Sequence, residues 1–422
     1  MRMRVVRYSL CLVVAACGTA ATPNGEMNNS SAQAPIAAAT SSDPPFATSP
    51  IATFDNPWAM AFLPASSEAV VTEKPGRIWL VDVRTGRKQP VAGAPRVVAS
   101  GQGGLLDVAL SPSFAADKEL YLTYAEPSAN GGSGLALARA RLSASESGAR
   151  LDDFHLLWHD PAGGEGGQFG AIIAFAPDGK SLFLSSGERQ RFTPAQDPNQ
   201  PLGKILHLTL EGKPAPGNPL AGRTGSPTVM ITDPPSDTRA ARSAVGRRFT
   251  WPGPNLTPAE TWSTGHRNPY GLTFDAEGRL WETEMGPRGG DELNLILPGH
   301  NYGWPLVSEG ENYNGVPIPK PSTRPDLERA KLYWVPSVSP TTLLIYSGKM
   351  FPQWKGNGFI GSLSGESLIR VTFSGNNAQK ADRWRLGKRI RWVGEGPDGA
   401  IYLLEDGDDA RLVRLSPAAT RR

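Results

Sequence analysis

The chain has 422 residues, a formal net charge of +3 and a charged fraction of 20%. This length fits one large domain or two medium ones, and the balanced charge argues against an acidic tail or a dense nucleic-acid footprint. Both cysteines lie within the first 17 residues, which excludes a disulfide scaffold, a cysteine-ligated zinc site and a cysteine nucleophile in the folded body. The 47 glycines and 39 prolines predict short elements and many turns rather than long helical bundles.

The first 17 residues have the pattern of a secretory signal. Arg2, Arg4 and Arg7 precede an apolar run over residues 10–16, and small residues surround Cys17. The run is much shorter than the ~20 residues of a membrane-spanning helix. The pattern resembles a bacterial lipobox, in which the cysteine becomes the acylated first residue; plain secretion is the alternative. We therefore predict a lipoprotein-type signal over residues 1–17 and a periplasmic protein attached to the membrane only through a lipid on Cys17.

The next segment, residues 18–50, is rich in Ala, Ser, Thr, Pro and Asn and has no apolar periodicity, which predicts a flexible tether. The folded body is predicted over residues 51–422. Within it, an apolar strand, a turn and a second apolar strand recur six times. The six copies are residues 59–73, 107–124, 172–186, 271–284, 343–362 and 393–406.

Each copy is followed by a segment in which apolar and polar residues alternate, as in a strand with one buried face. These segments are residues 76–83, 135–142, 204–210, 292–297, 367–373 and 411–417. A unit of about 60 residues repeated six times predicts an all-β fold, a six-bladed β-propeller with four-stranded antiparallel blades. A pair of β-sandwiches or a parallel β-helix is the alternative. The longest insertion, residues 211–262, is predicted to lie over one face as an extended loop.

Several chemistries lack their sequence motifs. The chain has five histidines and no HExxH, G-x-S-x-G, P-loop or G-x-G-x-x-G motif. Nucleotide-dependent redox chemistry on a doubly wound sheet is therefore unsupported. Basic residues are scattered among acidic ones, which makes nucleic acid a poor partner.

Polar residues are densest over residues 263–305, where Arg267 and Asn268 precede a predicted strand. Glu284, Asp291 and Glu292 flank a Gly/Pro turn, and carboxylates with backbone carbonyls are the oxygen ligands that calcium prefers. A solvated acidic turn is the alternative.

A second cationic pair, Arg389 and Arg391, has the i, i+2 spacing that points two side chains to one side of a strand. A surface pair is the alternative. In a propeller, turns at equivalent ends of the blades meet around one axis, so arginines from separate blades can clamp a ligand with several carboxylates.

Five segments carry a resemblance to a known family: GQGGLLDVALSPSF (101–114), TGHRNPYGL (264–272), MGPRGGDELNLI (285–296), GHNYGWP (299–305) and RIRW (389–392). They resemble the soluble quinoprotein aldose dehydrogenases, periplasmic enzymes that use pyrroloquinoline quinone (PQQ) and calcium. The similarity runs in order over nearly all of residues 51–417. It implies a six-bladed propeller with PQQ in its axial cleft, an aldose substrate oxidised to a lactone, and a soluble or quinone electron acceptor.

The resemblance also implies roles for single residues. The cofactor-binding side chains that it implies are Gln102, Arg267, Asn268, Arg389 and Arg391. The carbonyls of Gly286 and Pro287 are implied ligands of a calcium that touches PQQ and acts as a Lewis acid on the quinone. Glu292 and the Tyr302 carbonyl are implied ligands of a second, structural calcium.

The chain departs from the family pattern at the expected catalytic base. Gln168 stands where a histidine is usual, and Ile172 where an arginine is usual. An amide has no useful basicity near neutral pH, and loss of a positioned base costs about 10²–10⁴-fold. Glu188 corresponds to the acidic partner of that histidine, and we hypothesise that it substitutes as the base. Ser364 stands where glucose-specific members have a lysine that contacts the cofactor.

Three functions therefore remain open from the sequence. The first is a PQQ-dependent aldose dehydrogenase with reduced activity. The second is a non-catalytic propeller that binds PQQ or a sugar, and the third is an unrelated scaffold for protein contacts, which the ordered similarity disfavours.

Overall fold

The computed structural model of the protein describes residues 44–129, 131–145, 148–232 and 246–418. The predicted signal with Cys17 and nearly all of the predicted tether lie outside these residues. Within the described ranges, no helix is both long and apolar enough to cross a membrane. Strands make up almost all of the regular structure, which confirms the predicted all-β class.

The elements of the described residues follow one another along the chain with few helices between them. The strands are β1 (Phe46–Phe54), β2 (Pro57–Phe62), β3 (Glu68–Glu73), β4 (Arg77–Asp82), β5 (Lys88–Ala92), β6 (Leu105–Leu110), β7 (Glu119–Pro127), β8 (Ser133–Ser145), β9 (Gly148–His159), β10 (Gly170–Phe175), β11 (Ser181–Ser186), β12 (Lys204–Thr209), β13 (Thr228–Thr232), β14 (Gly246–Thr250), β15 (Thr261–Thr264), β16 (Pro269–Phe274), β17 (Leu280–Glu284), β18 (Asp291–Ile296), β19 (Leu332–Trp334), β20 (Pro340–Ile345), β21 (Gly358–Ser362), β22 (Ser367–Ser374), β23 (Asn377–Arg385), β24 (Ile390–Glu395), β25 (Ile401–Glu405) and β26 (Ala410–Pro417). The helices are α1 (Phe114–Asp117) and α2 (Thr257–Glu260), with 3₁₀ turns at Thr193–Gln196, Pro321–Thr323 and Pro352–Trp354.

The strands pair into antiparallel units of four. Three separate sheets have the orders β10-β11-β12-β15, β16-β17-β18-β19 and β20-β21-β22-β23. The units β2–β5 and β6–β9 join into one eight-stranded sheet through a short parallel pairing of β5 with β9. The last sheet contains β24, β25, β26 and β1. All six predicted strand pairs, and the strand predicted after each, are confirmed.

The N-terminal strand β1 belongs to the same sheet as the C-terminal strand. It pairs antiparallel with β26 from Phe46 opposite Pro417 to Phe54 opposite Ala410. Phe46 is buried and packs edge-on against Trp384, with ring centroids 5.3 Å apart. The folded body therefore begins before residue 51, the predicted start. Residues 46–50 already belong to β1, because they pair with β26 and Phe46 is buried.

The first strands of the six units contact one another in a closed series. β2 contacts β6, β6 contacts β10, β10 contacts β16, β16 contacts β20, β20 contacts β24, and β24 contacts β2. Buried hydroxyls join neighbouring units at the start of these strands: Thr72 donates to the Leu106 carbonyl, Thr123 to that of Ala171, Ser185 to that of Pro269, and Thr283 to that of Thr341. The turns before the first strands therefore lie at one common end.

Each first strand also has a register shift near its beginning. Such bulges bend a strand and re-aim its side chains, and they are common beside active sites. Six bulges at one end of the fold thus turn side chains of six units toward the same region.

The sequence predicted that the long insertion, residues 211–262, is an extended loop, but part of this insertion forms a hairpin. β13 and β14 form a two-stranded hairpin, from Thr228 opposite Thr250 to Thr232 opposite Gly246. Val229, Ile231 and Phe249 pack with Ala162 into a small apolar cluster. The apolar face of the hairpin packs on the loop that follows β9, and burial of this face stabilises the hairpin.

Candidate active site

The residues predicted for the site lie at the common end where the first strands begin. Gln102, Gln168 and Arg267 precede β6, β10 and β16, while Glu188 follows β11. Ser364 lies in the turn between β21 and β22. The fold therefore gathers residues that are far apart in the chain.

The side chain of Gln102 connects several of these residues. Its Oε1 accepts hydrogen bonds from the Gln168 backbone N–H at 3.0 Å, from Tyr270 Oη at 3.1 Å and from Asn268 Nδ2 at 3.5 Å. Asn268 Oδ1 in turn accepts from the Gly170 N–H at 3.3 Å. Gln102, Gln168 and Asn268 are thus together, as predicted, and Tyr270 joins them.

The Gln168 side chain lies between a carboxylate and a guanidinium. In the amide orientation that satisfies both, its oxygen accepts from Arg267 Nη2 at 2.8 Å and its nitrogen donates to Glu188 Oε1. Gln168 has φ +55°, in the left-handed region, and its backbone is held by the bond to Gln102. The two residues predicted to be catalytic are therefore in direct contact.

Glu188 is almost completely buried, with 1% of its surface exposed. Its Oε2 accepts from the Phe192 N–H at 2.5 Å. Burial raises the pKa of Glu188 to about 7, although the nearby Arg267 charge opposes this rise. A carboxyl group with a pKa near neutrality is suited to general base catalysis.

Two buried arginines hold the loop that carries Gln168. The guanidinium of Arg189 donates to the carbonyls of Ser133, Gly164, Gly166 and Gly167 at 2.7–3.2 Å. Arg191 Nη2 donates to the carbonyls of residues 163 and 165 at 3.0 and 2.7 Å. The loop has few side chains of its own to pack, so these bonds fix its path.

Arg389, just before β24, and Arg391, within it, both bind Asp406, so their guanidinium groups lie together as predicted. Arg389 Nε lies 2.8 Å from Asp406 Oδ2, and Arg391 Nε lies 2.8 Å from Oδ1. Burial acts to raise the pKa of Asp406, but the two arginines outweigh it and hold the pKa below its usual value. Arg391 also lies over the Tyr270 ring, 5.9 Å from its centroid, which connects this pair to Gln102.

Lys74 is a third cation near Arg389 and Arg391, and we call these three residues the cation wall. Lys74 Nζ donates to the Gly101 carbonyl at 2.8 Å, and burial and the charge of Arg391 lower its pKa. Asp406 binds Arg389 and Arg391 directly and is close enough to Lys74 for its charge to act on the Lys74 pKa. Ser364, in contrast, binds Ser339 Oγ at 2.8 Å and is not in direct contact with the other predicted cofactor residues.

A cluster of buried and half-buried acids lies on the other side of Arg267. We define the acid cluster as Glu282, Glu284 and Glu292 with Asn294 and His266. Strand register places Glu282 opposite Asn294 and Glu284 opposite Glu292 on adjacent strands. Asn294 Nδ2 lies within 3.0–3.3 Å of oxygens of all three carboxylates. His266 Nδ1 lies 3.3 Å from Glu284 Oε1.

The acid cluster is poorly compensated by protein groups. Glu282 Oε1 and Asn294 Oδ1 are buried and have no hydrogen-bond partner among the described residues. Burial, with the nearby Glu284 carboxylate, raises the pKa of both Glu282 and Glu292 well above the usual range. Oxygen or nitrogen atoms of His266, Glu282 and Glu284 come within 4.8 Å of one another, a spacing that can hold a metal ion.

The Gly/Pro turn lies between the acid cluster and Arg267. Arg267 Nη1 donates to the carbonyls of Met285 and Gly286 at 2.9 and 2.7 Å. The Gly286 N–H donates to Asp291 Oδ1 at 2.9 Å, which closes the turn. A Cβ at Gly286 would lie 2.3 Å from the Gly290 carbonyl oxygen, so only glycine fits there. Pro287 follows in the same turn and is buried.

One cavity joins the turn to the acid cluster. It has a volume of about 10 Å³ and is bordered by Arg267, Gly286, Glu292 and Tyr302, among others. The Tyr302 ring stacks on His266 with centroids 4.7 Å apart. The predicted ligands Gly286, Glu292 and Tyr302 thus border one space.

The chain can now be compared with known proteins. The family model described as "Glucose / Sorbosone dehydrogenase" matches residues 54–231 and 253–414. The chain belongs to this family. It is 35% identical over 370 residues to the aldose sugar dehydrogenase YliI of Escherichia coli (strain K12), covering 86% of this chain and 90% of that protein.

Solved structures of the glucose/sorbosone dehydrogenase family agree with this assignment. A glucose dehydrogenase crystal structure is 38% identical, with a TM-score of 0.76 over 88% of this chain and 100% of that chain. The PQQ-bound form of an aldose sugar dehydrogenase from Streptomyces coelicolor is 28% identical, with a TM-score of 0.65 over 88% of this chain and 98% of that chain. The predicted family is therefore confirmed.

Proposed function

We propose that the protein oxidises aldose sugars to lactones with PQQ and calcium, and that its six four-stranded units form a six-bladed β-propeller. The closed series of contacts among the first strands supports this architecture. One observation carries the functional proposal: Gln168 contacts both Glu188 and Arg267, and the cation wall lies nearby.

The residues of the site fit a quinone with several carboxylates. Lys74, Arg389 and Arg391 outnumber the single carboxylate between them, so an anionic ligand would balance their charge. Arg267 Nε is buried and has no hydrogen-bond partner in the described part of the chain. The cofactor would be held by Arg267, Arg389, Arg391, Gln102 and Asn268. Lys74 would supply the cation that is missing at Ser364, where glucose-specific members of the family have a lysine. Bound PQQ would accept hydride from the sugar.

The acid cluster fits a calcium ion. Two buried carboxylates and the half-buried one of Glu292 share one amide N–H₂ group, and two buried oxygens have no partner among the described residues. A divalent cation with oxygen ligands would neutralise these charges and satisfy both oxygens. We propose Glu292 and the Tyr302 carbonyl as ligands of this ion, and the carbonyls of Gly286 and Pro287 as ligands of a calcium next to the cofactor.

Glu188 is proposed as the general base in place of the usual histidine. Near neutral pH a substantial fraction of Glu188 is ionised, because its pKa is about 7. The carboxylate would take the proton of the sugar's anomeric hydroxyl. Gln168 orients Glu188 by donating to it, and Arg267 stabilises its ionised form.

The same contact also favours a second candidate function. Gln168 already occupies one oxygen of Glu188 and the Phe192 N–H occupies the other. If neither bond yields to a sugar, the protein binds PQQ or a sugar without turnover. Under either function we propose a periplasmic location, attachment through acylated Cys17, and, for the enzyme, transfer of electrons to a soluble or quinone acceptor.

Reconstitution distinguishes the two functions. The folded body is purified, loaded with calcium and PQQ, and mixed with glucose and other aldoses while the quinone absorbance is recorded. Reduction by any aldose supports the dehydrogenase. Cofactor binding without reduction, rescued by Gln168→His, supports the non-catalytic function, and absence of both cofactor and sugar binding contradicts both.

A further inference from the structure

A second cavity lies outside the active site, between the end of β9, the turn after β12 and helix α2. Its volume is about 190 Å³. The lining residues are Leu157, Trp158, His159, Pro161, Pro201, Gly212, Lys213, Trp251, Pro254, Leu256, Thr257 and Glu260. None of the proposed cofactor or metal ligands borders it, so it is a separate site.

The walls of this cavity combine indoles with aliphatic and proline side chains. Trp158 comes from the end of β9 and Trp251 from the segment after β14. Gly212 has φ +74°, and a Cβ there would lie 2.4 Å from the Leu157 carbonyl oxygen. Glycine thus allows the turn after β12 to approach β9 and complete the wall.

Polar groups are placed among these apolar walls. Glu260 has only 7% of its surface exposed, and its Oε2 accepts from Trp158 Nε1 at 3.0 Å. The buried Trp251 Nε1 has no hydrogen-bond partner within the described residues. Burial raises the pKa of Glu260 to about 7, and the hydrogen bond from Trp158 and the charge of Lys213 oppose this rise. The cavity therefore offers one buried acceptor and two donors beside indole rings.

We propose that this cavity binds a pyranose ring of a saccharide. The C–H faces of a sugar ring pack on indoles, while its hydroxyls donate to a carboxylate and accept from indole N–H and ammonium groups. A lipid chain would leave these polar groups buried and unpaired. An anion would face the Glu260 carboxylate, and a cation would face Lys213.

The cavity is connected to the active site by one loop. Pro161 lines the cavity, and the same loop continues to Gln168, held by Arg189 and Arg191. Arg247 Nη2, on β14, donates to the Ala162 carbonyl at 2.6 Å. A ring bound here can be a free monosaccharide or one unit of a longer saccharide.

The inference that this ring belongs to a substrate rests on the proposed sugar oxidation. The inference that the cavity binds a saccharide does not rest on that function.

Calorimetric titration of the PQQ-free protein with glucose and with maltotetraose tests the proposal. We expect saccharide binding that weakens at least tenfold in Trp251→Ala and in Glu260→Gln, and less in Lys213→Ala, an exposed position where misfolding is not expected. Glu277→Gln is the matched control and should bind as the wild type does, because this exposed carboxylate lies in the turn between β16 and β17, outside both cavities. Tighter binding of maltotetraose than of glucose identifies a longer saccharide, and equal affinity identifies a single ring.

Two results overturn the proposal: no binding of either saccharide, or binding that all three cavity variants leave unchanged. Because PQQ is absent, these outcomes do not depend on sugar oxidation. Failure of the proposed function would appear separately, as saccharide binding without reduction of the quinone in the reconstituted protein.

Discussion

The two sides of Arg267 compensate their buried charges in different ways. We define the base side as Gln168, Glu188, Arg189 and Arg191. There, amide and backbone groups form hydrogen bonds with the carboxylate and with both guanidinium groups. On the other side, the carboxylates of the acid cluster share the Asn294 amide, and Glu284 also accepts from the backbone N–H groups of Arg267 and Asn268. One oxygen each of Glu282 and Asn294 has no partner in the described residues. The base side is thus compensated largely by protein groups, whereas the acid cluster is where we propose a cation.

The largest effect is expected on the base side, from Glu188→Gln in the loaded protein. An amide cannot accept the proton, so kcat should fall by about 10²–10⁴-fold while cofactor affinity changes little. Gln168→His is the matched variant, because it restores the usual base and should raise kcat. If Glu188→Gln leaves turnover unchanged, Glu188 is not the base.

Removal of divalent cations is expected to have the next largest effect, and it acts through the acid cluster. A ligand at 1,000 times its Kd stabilises the folded state by about 4 kcal/mol. Chelation should therefore lower the thermal midpoint, and calcium should restore it more fully than magnesium. Differential scanning calorimetry with and without chelator measures this. An unchanged midpoint would show that the cluster holds no cation.

Arg189→Ala tests the other half of the comparison. The substitution leaves several carbonyls of residues 164–167 without their donor, at a cost of about 3 kcal/mol in the free energy of unfolding. Because no cation supports this side, added calcium should not rescue the variant. Arg189→Lys keeps a positive charge but loses the planar fork, so partial recovery of stability is expected. Denaturant unfolding of both variants supplies the comparison.

The smallest expected effect comes from Glu282→Gln. Without calcium, the substitution removes a buried carboxyl group whose pKa is raised by burial and by Glu284. The chelated variant should therefore be more stable than the chelated wild type by about 1 kcal/mol. Calcium should stabilise the variant less than the wild type. Destabilisation of the chelated variant would contradict the view that this charge is uncompensated.

Strand alternation and hairpin turns were sufficient to predict the six repeated units. β1 was missed because Phe46–Phe54 contains Pro, Ser and Thr, and its order depends on pairing with β26 at the far end of the chain. The β13–β14 hairpin was missed although Val229 and Ile231 already alternate with polar residues, because its partner Ala162 is distant in sequence. Contacts of this kind are not visible in local patterns.

Site residues next to the Gly/Pro turn could be predicted, including Glu284 and Glu292 at the ends of their strands, but Glu282 and Asn294 inside the strands could not. Glu282 and Asn294 alternate with other residues as the polar face of a solvent-exposed strand does. The placement of Glu282 opposite Asn294 and of Glu284 opposite Glu292 depends on strand register, which places like charges opposite each other. A pair of acids at i, i+2 just before a Gly/Pro turn was the one available signal.

The most direct measurement of the central claim is single-turnover reduction of bound PQQ by glucose as a function of pH. Glu188 acts as a base only when ionised, so with a pKa of about 7 the rate should rise with pH and level off above that value. The account predicts that this rise is present in the wild type and absent in Glu188→Gln. A wild-type protein that binds PQQ and never reduces it, or an identical rise in both proteins, would contradict the account.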